Sequence, residues 1–65
     1  MKILIVGGGA REHALARAFH LDPAVDEVHA APGNPGIGQI ASLHHADPNH
    51  GPAIAVLATD IGADL

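Results

Sequence analysis

An apolar segment that runs directly into three glycines is the feature that most restricts how this chain can fold. Residues 3–6 read Ile-Leu-Ile-Val without interruption, and Gly7, Gly8 and Gly9 follow at once. Unbroken apolarity is typical of a strand that is covered on both faces, as in a parallel sheet. The sequence therefore predicts an α/β fold with a glycine turn at the end of its first strand.

The segment after the glycines predicts a helix and a second strand. The helix is expected over residues 10–21 and ends at Asp22, because the residue before a proline avoids the helical conformation. Helical spacing predicts a buried stripe made of Ala14, Leu15, Ala18 and Phe19. Residues 27–31 are expected to form the second strand, which completes a right-handed, parallel βαβ unit.

The second half of the chain predicts a loop, a weak edge strand and a second helix. The loop is expected over residues 32–38 and the edge strand over residues 43–46. The helix is expected to begin at a cap formed by Asn49 or Gly51 and to end at Gly62. A third main strand should follow in such a fold. Residues 1–65 are therefore interpreted as a partial, Rossmann-like βαβ(α) domain that is truncated before this strand.

The charge balance argues against nucleic acid or a membrane as a partner. The formal net charge is −4, and Lys2, Arg11 and Arg17 are the only lysine and arginine residues. Both of these partners require a basic face. No apolar run is long enough to cross a bilayer and no charged leader precedes one, so the cytoplasm is the expected location. The chain has no cysteine, which excludes disulfides and CxxC zinc sites.

The glycine turn predicts a binding site for an anion. A strand that enters glycines and then a helix brings free backbone N–H groups and the positive end of the helix dipole together. Phosphate is the usual occupant, and Arg11 in the first helical turn could contact it through its guanidinium group. The alternatives are a turn without a ligand, and an Arg11 that faces solvent or pairs with a carboxylate such as that of Glu12.

Two common nucleotide-binding motifs are incomplete in this chain. Gly7 and Gly9 match the first two glycines of G-x-G-x-x-G, but Glu12 occupies the third position. The expected second strand also ends without the acidic residue that binds ribose in NAD-binding proteins. No Gly-Lys-Ser/Thr sequence is present, which excludes an ATP-type P-loop. A smaller phosphate ester is the ligand that remains.

The second loop is expected to face the same pocket as the first. The carboxyl ends of neighbouring parallel strands converge on one crevice, so Gly33 and Asn34 should lie beside the glycine turn. The Asn34 side chain can both donate and accept hydrogen bonds, which suits ribose hydroxyls or a neighbouring loop. In the alternative interpretation Asn34 only fills a turn.

The histidines raise the question of a metal site. His44, His45 and His50 are close in sequence. Neighbouring residues of a strand point to opposite faces, so His44 and His45 are poorly placed to chelate and are expected to be solvated. His29 is expected to face solvent or a loop. No nucleophile–base arrangement is present either, so the sequence predicts no metal site and no catalytic residue in this chain.

Two motifs, one after each expected strand, carry a family resemblance. The first is GGGAREHA at residues 7–14 and the second is APGNPG at residues 31–36. This pair resembles the start of the N-terminal domain in the phosphoribosylamine–glycine ligase family, also called glycinamide ribonucleotide synthetases. The resemblance covers the whole chain but only the beginning of the family's proteins.

The resemblance implies an enzyme of purine biosynthesis that joins glycine to 5-phosphoribosylamine with ATP. It implies that ATP and Mg or Mn ions bind to an ATP-grasp region outside residues 1–65, that the enzyme is a monomer, and that this chain alone is inactive. The residues implied on the phosphoribosylamine side are Gly7, Gly8, Gly9, Arg11, Gly33 and Asn34. A nucleotide-binding module of an oxidoreductase and a structural fragment without a ligand are the open alternatives.

Overall fold

The computed structural model describes all of residues 1–65 as one parallel sheet with flanking helices. In chain order the elements are β1 (Lys2–Gly7), α1 (Ala10–His20), β2 (Glu27–Pro32), a 3-10 helix (Ile37–Gln39), β3 (Ser42–Leu43) and α2 (Gly51–Ile61). The strands are parallel and lie in the order β1-β2-β3. The predicted α/β class and the parallel βαβ unit are confirmed.

The buried core lies on the face of the sheet that α1 covers. Alternate residues of β1 and β2 pair in register there, because successive strand residues point to opposite faces. The core cluster consists of Ile3, Ile5, Ala16, Val28, Ala30 and Ile37. Ala16 is the residue through which α1 contacts this cluster, and it is fully buried. The apolar, β-branched start of the chain therefore forms a buried strand, as expected.

The second helix covers the opposite face. α2 packs against β1, and no residue of α2 belongs to the core cluster or to the residues packed against it. The half-buried apolar positions of α2 are Ala53, Ile54, Leu57, Ala58 and Ile61. Helices on both faces of a parallel sheet define a doubly wound arrangement. Neither α-helix has the length and apolarity needed to cross a membrane.

The chain returns to the second edge of β1 at residues 64 and 65. The Leu4 N–H donates to the Leu65 carbonyl at 2.9 Å, and the Asp64 N–H donates to the Lys2 carbonyl at 2.8 Å. The connection through α1 therefore leads to β2 on one side of β1, and the connection through α2 leads to residues 64 and 65 on the other side. In open α/β sheets such a reversal marks the ligand crevice, which lies at the carboxyl end of the strand, here at Gly7.

The prediction of which α1 side chains are buried is wrong for three of its four residues. Phe19 is half-buried and packs on the core, but Ala14, Leu15 and Ala18 are exposed. The helix instead turns Ala16 towards the sheet. An alanine-rich helix offers two overlapping apolar stripes, and spacing alone does not distinguish them. Packing against the sheet selects the stripe that contains Ala16, whose small side chain is fully buried.

Two predicted features of the second half also need correction. The edge strand is Ser42–Leu43 rather than residues 43–46, because the Ala46 N–H turns back to the His44 carbonyl at 3.1 Å and leaves the ladder. The cap of α2 is His50 and not Asn49 or Gly51: its imidazole Nδ1 accepts a hydrogen bond from the Ala53 N–H at 3.1 Å. Gly62 ends α2 in the left-handed conformation, as predicted.

Candidate functional site

The two glycine-rich loops lie against each other at the carboxyl ends of β1 and β2. The Gly33 N–H donates to the Gly7 carbonyl at 3.1 Å. A Cβ atom on Gly8 would lie 2.5 Å from the Gly33 carbonyl oxygen, so the two backbones approach too closely for a side chain at this position. The structure thus brings together the two loops that the sequence places at one crevice.

Two of these glycines have backbone angles that other residues rarely adopt. The φ angle is +129° at Gly7 and +72° at Gly33. A Cβ atom on Gly7 would lie 2.6 Å from Oε1 of Glu12, and one on Gly33 would collide with the Leu43 side chain. Each strand therefore ends in a turn that favours glycine because of its backbone angle.

Glu12 supplies half of a capping box at the start of α1. Its Oε2 atom accepts a hydrogen bond from the Gly9 N–H at 3.1 Å. A negative charge at this end of a helix is also favourable for the helix dipole. Gly9 is one of the residues that the resemblance assigns to the substrate, and its amide is engaged within the protein.

The remaining N–H groups of the turn have no acceptor within the protein. They belong to Gly8, Ala10, Arg11 and Glu12. The last three lie in the first turn of α1, where the N–H groups have no partner inside the helix and the dipole is positive. Free amides at such an end can bind an anionic group. This turn can therefore accept one phosphate.

Arg11 is exposed beside these amides and forms no ion pair. The ion pairs of the chain are those of the N-terminus with Asp26, and of Glu27 with Lys2 and His29. The alternative in which Arg11 pairs with Glu12 is wrong, because the Glu12 carboxylate bonds to the Gly9 amide instead. The guanidinium group is therefore left for solvent or an anion at the turn.

Asn34 cross-links the second loop to the first. Its side-chain Nδ2 donates to the Gly8 carbonyl at 2.8 Å, and its Oδ1 accepts from the Ile37 N–H at 2.9 Å. Its own carbonyl accepts from the Gly38 N–H at 2.9 Å. Of the roles that the sequence left open, contact with a neighbouring loop is the one seen. One hydrogen of the Nδ2 amide has no protein acceptor and is available for a ligand.

His29 is buried, so the expectation that it faces solvent or a loop is wrong. The residue is 9% exposed, and its Nε2 lies 2.8 Å from Oε1 of Glu27. Its Nδ1 lies 2.8 Å from Nε2 of His44, which is itself half-buried rather than solvated. The segment after β3 covers this face of the sheet, and its histidine gives the buried ring a hydrogen-bond partner. Glu27 and His29 are two residues apart on one strand and therefore share a face, which was a sequence signal for the contact between these two side chains.

The contact with His29 changes the titration of Glu27. The hydrogen bond from His29, followed by the charge of Lys2, lowers the pKa of Glu27 below its ordinary value of 4.5. The Lys2 Nζ lies 3.8 Å from Oε2 of Glu27. The folded protein keeps this carboxylate charged more readily than the unfolded chain does. The contact therefore stabilises the fold above pH 4.5 and is lost as the pH falls through the lowered pKa.

We expect the substitution Glu27→Gln to weaken the protection of the β2 amides against hydrogen exchange at neutral pH. The difference from the unchanged protein should shrink as the pH falls through the lowered pKa of Glu27, because the carboxylate then becomes protonated. Amide exchange in the full-length protein, measured from about pH 7 to about pH 3, tests this. Asp60→Asn is the control because its exposed carboxylate has no hydrogen-bond partner. A difference that stays constant across the range would contradict the prediction.

The largest cavity lies away from the glycine loops, between residues 44–50 and α2. Its volume is about 790 Å³. Its polar lining consists of His44, His45, Asp47, His50 and Asp60. Despite this composition, no three His, Cys, Asp or Glu side chains of the chain are grouped so that they could hold a metal ion. The sequence analysis missed this cavity, because its walls depend on how α2 sits relative to the segment after β3.

The fold and the site together define a class of protein. The chain is a doubly wound, Rossmann-like α/β unit whose glycine turn, at the point where the strand order reverses, can bind an anion. It has neither a complete dinucleotide fingerprint nor a P-loop. Within this class the chain belongs to the family described as "Phosphoribosylglycinamide synthetase, N domain", whose sequence profile matches residues 1–65.

Individual relatives agree with the family match. A phosphoribosylamine–glycine ligase of Streptomyces coelicolor is 54% identical over 65 residues, which are all of this chain and 16% of that protein. Proteins of the same name from Phenylobacterium zucineum and Mycobacterium tuberculosis are 48% and 45% identical over the same length, which is 15% of each. The chain therefore spans about a sixth of the length of these relatives.

Proposed function

We propose that this chain is the N-terminal part of an ATP-dependent carbon–nitrogen ligase that joins glycine to 5-phosphoribosylamine. The product is glycinamide ribonucleotide, an intermediate of de novo purine biosynthesis. Residues 1–65 contribute to the phosphoribosylamine side of the site and are inactive alone. The relatives that match along the whole chain are named phosphoribosylamine–glycine ligases, which supports this proposal.

The observation that carries the proposed substrate contact is the group of free amides next to an unpaired arginine. The Gly8 amide and the first-turn amides of α1 would bind the phosphate of phosphoribosylamine, and the Arg11 guanidinium would balance its charge. The other glycines of the site, Gly7, Gly9 and Gly33, shape the two turns. Asn34 holds the loops together and offers one amide hydrogen to the sugar.

The proposed ATP and metal sites lie outside this chain. No group of side chains in residues 1–65 could hold a divalent ion, and no P-loop lysine is present. The residues described here therefore do not fit Mg or Mn, and we place ATP and the ion in the ATP-grasp region of the longer protein. The family resemblance also supports small-molecule partners, a monomeric state and a cytoplasmic location as parts of the proposal.

The two alternative functions have less support. An oxidoreductase module would need an acidic residue at the carboxyl end of β2, but the strand ends in Ala31 and Pro32. Glu27 lies at the other end of β2 and bonds to His29. A structural fragment without a ligand would leave the free amides at the start of α1 to water, and it gives no role to the unpaired Arg11 beside them.

An assay of the full-length protein tests the proposed reaction. ADP should be released only when ATP, glycine and phosphoribosylamine are all present, because the ligation consumes the three together. Omission of each substrate in turn is the control. ADP release that does not depend on phosphoribosylamine would contradict the proposal. Saturable NAD binding by the same sample, at micromolar concentration, would instead support the oxidoreductase alternative.

A further inference from the structure

The segment that joins β3 to α2 is attached to the domain through imidazole nitrogens at both of its ends. This segment, residues 44–50, is called the histidine strap below. At its start, Nε2 of His44 lies 2.8 Å from Nδ1 of the buried His29. At its end, Nδ1 of His50 accepts the Ala53 N–H at 3.1 Å and caps α2. These contacts lie outside the glycine site and have no part in the proposed reaction.

The contact between His29 and His44 at the start of the strap can hold only one hydrogen between the two rings. Nε2 of His29 must donate to Glu27, because a carboxylate can only accept. The 2.8 Å contact between His29 and His44 then holds one hydrogen, carried by either ring. If both rings are protonated, two N–H groups face each other and the hydrogen bond is lost. This attachment therefore requires that at least one of the two rings stays neutral.

The contact at the end of the strap is lost on protonation as well. Nδ1 of His50 accepts a hydrogen bond only when it carries no proton. Protonation would also place a positive charge at the N-terminus of α2, where the helix dipole is positive. Loss of the first attachment therefore requires protons on both His29 and His44, whereas a single proton on His50 removes the cap at the second.

The charged groups around the strap do not cancel this effect. Lys2 of β1 lies 3.8 Å from Glu27 and keeps that carboxylate charged, so Glu27 continues to accept from His29. Asp47 of the strap and Asp60 of α2 line the same cavity as His44 and would attract a charged imidazole. Both aspartates are exposed, so water screens their attraction. His45, also exposed in this cavity, adds a further positive charge when protonated.

We propose that the histidine strap is a pH-sensitive device that detaches from β2 when His29 and His44 are both protonated, and that loses its side-chain cap on α2 when His50 is protonated. Histidine is the side chain whose charge most readily changes between about pH 5 and about pH 8, so this is the range in which the proposal is tested. Detachment widens the cavity of about 790 Å³ between the strap and α2, which is already open to solvent. The sheet itself stays folded, because the core of β1 and β2 on the α1 face contains no histidine.

Hydrogen exchange of the full-length protein, followed by mass spectrometry, tests the proposal. The readout is a peptide that covers residues 42–53, in which the His44 N–H donates to the Ala30 carbonyl at 2.9 Å. Exchange is measured at about pH 7.5 and about pH 5.5 and corrected for the intrinsic pH dependence of exchange. The double variant His44→Gln, His50→Asn keeps a hydrogen-bonding group at each attachment but does not titrate. His45→Gln is the matched control because His45 takes part in neither attachment.

The unchanged protein and the His45→Gln variant should lose protection roughly fivefold in this peptide at the lower pH, as expected for a lost hydrogen bond. The double variant should keep the same protection at both pH values. An equal loss in the double variant would overturn the proposal, and so would unchanged protection in the wild type. A parallel loss in a peptide from β1 would also overturn it, since acid would then unfold the whole domain.

Discussion

Replacing Gly8 with alanine is expected to lower kcat/KM for the proposed substrate, phosphoribosylamine, roughly 10- to 100-fold in the full-length protein. The new Cβ atom would lie 2.5 Å from the Gly33 carbonyl oxygen, which is backbone and cannot move aside as a flexible side chain can. The two loops must therefore separate, and the Gly8 amide moves away from the proposed phosphate. Overpacking of this kind also costs about 1–3 kcal/mol of stability. Steady-state kinetics with varied phosphoribosylamine and thermal unfolding measure the two effects.

Gly51→Ala is the matched control for this experiment. A Cβ atom on Gly51 would meet no atom within 4 Å, and the residue begins α2 and belongs to neither glycine loop. This variant should retain the kinetics and the stability of the unchanged protein. If Gly8→Ala behaves in the same way as Gly51→Ala, the close approach of the two loops has no importance for the site.

Replacing Arg11 with alanine is expected to raise the KM for phosphoribosylamine roughly 10- to 100-fold, with little change in the KM for ATP. A hydrogen bond to a charged group contributes about 1.5–3 kcal/mol, and about 1.4 kcal/mol corresponds to a factor of ten. Arg11 forms no ion pair within the chain, so its removal disturbs no internal charge pair. The initial rate is measured with each substrate varied in turn while the other two are saturating.

Arg17→Ala removes the same charge from the same helix and serves as the control. Arg17 is exposed and lies near the C-terminal end of α1, away from the free amides, so both KM values should stay unchanged. Arg11→Lys should recover part of the lost affinity, because lysine keeps the charge but not the forked geometry of the guanidinium group. Equal increases in the KM for phosphoribosylamine and for ATP would remove Arg11 from the proposed role.

The elements that position the site could be predicted because local signals determine them. The unbroken apolar run of β1, the glycines behind it and the proline after α1 each restrict the backbone directly. The position of Gly33 beside the first turn follows from the rule that parallel strands end at one edge. These parts of the fold depend on neighbours in sequence or on a general topological preference.

The features that could not be predicted depend on contacts between distant residues. The rotation of α1 is decided by the packing of Ala16, and two alternative apolar stripes fit its sequence equally well. The burial of His29 requires His44 of the segment after β3, which no local pattern indicates. His50 is an unusual cap, since Ser, Thr, Asp and Asn are the common ones, and the neighbouring Asn49 was the more obvious candidate.

Glu12 gives the glycine turn a negative charge of its own. Its carboxylate lies against Gly7 and accepts a hydrogen bond from the Gly9 amide. The amides left for a ligand are therefore those of Gly8 and of the first turn of α1. A molecule with one terminal phosphate can use these amides without approaching the carboxylate. A molecule with two linked phosphates would bring the second one towards Glu12, where like charges repel. If the turn binds a phosphate as proposed, the carboxylate that starts the helix would therefore also disfavour dinucleotides.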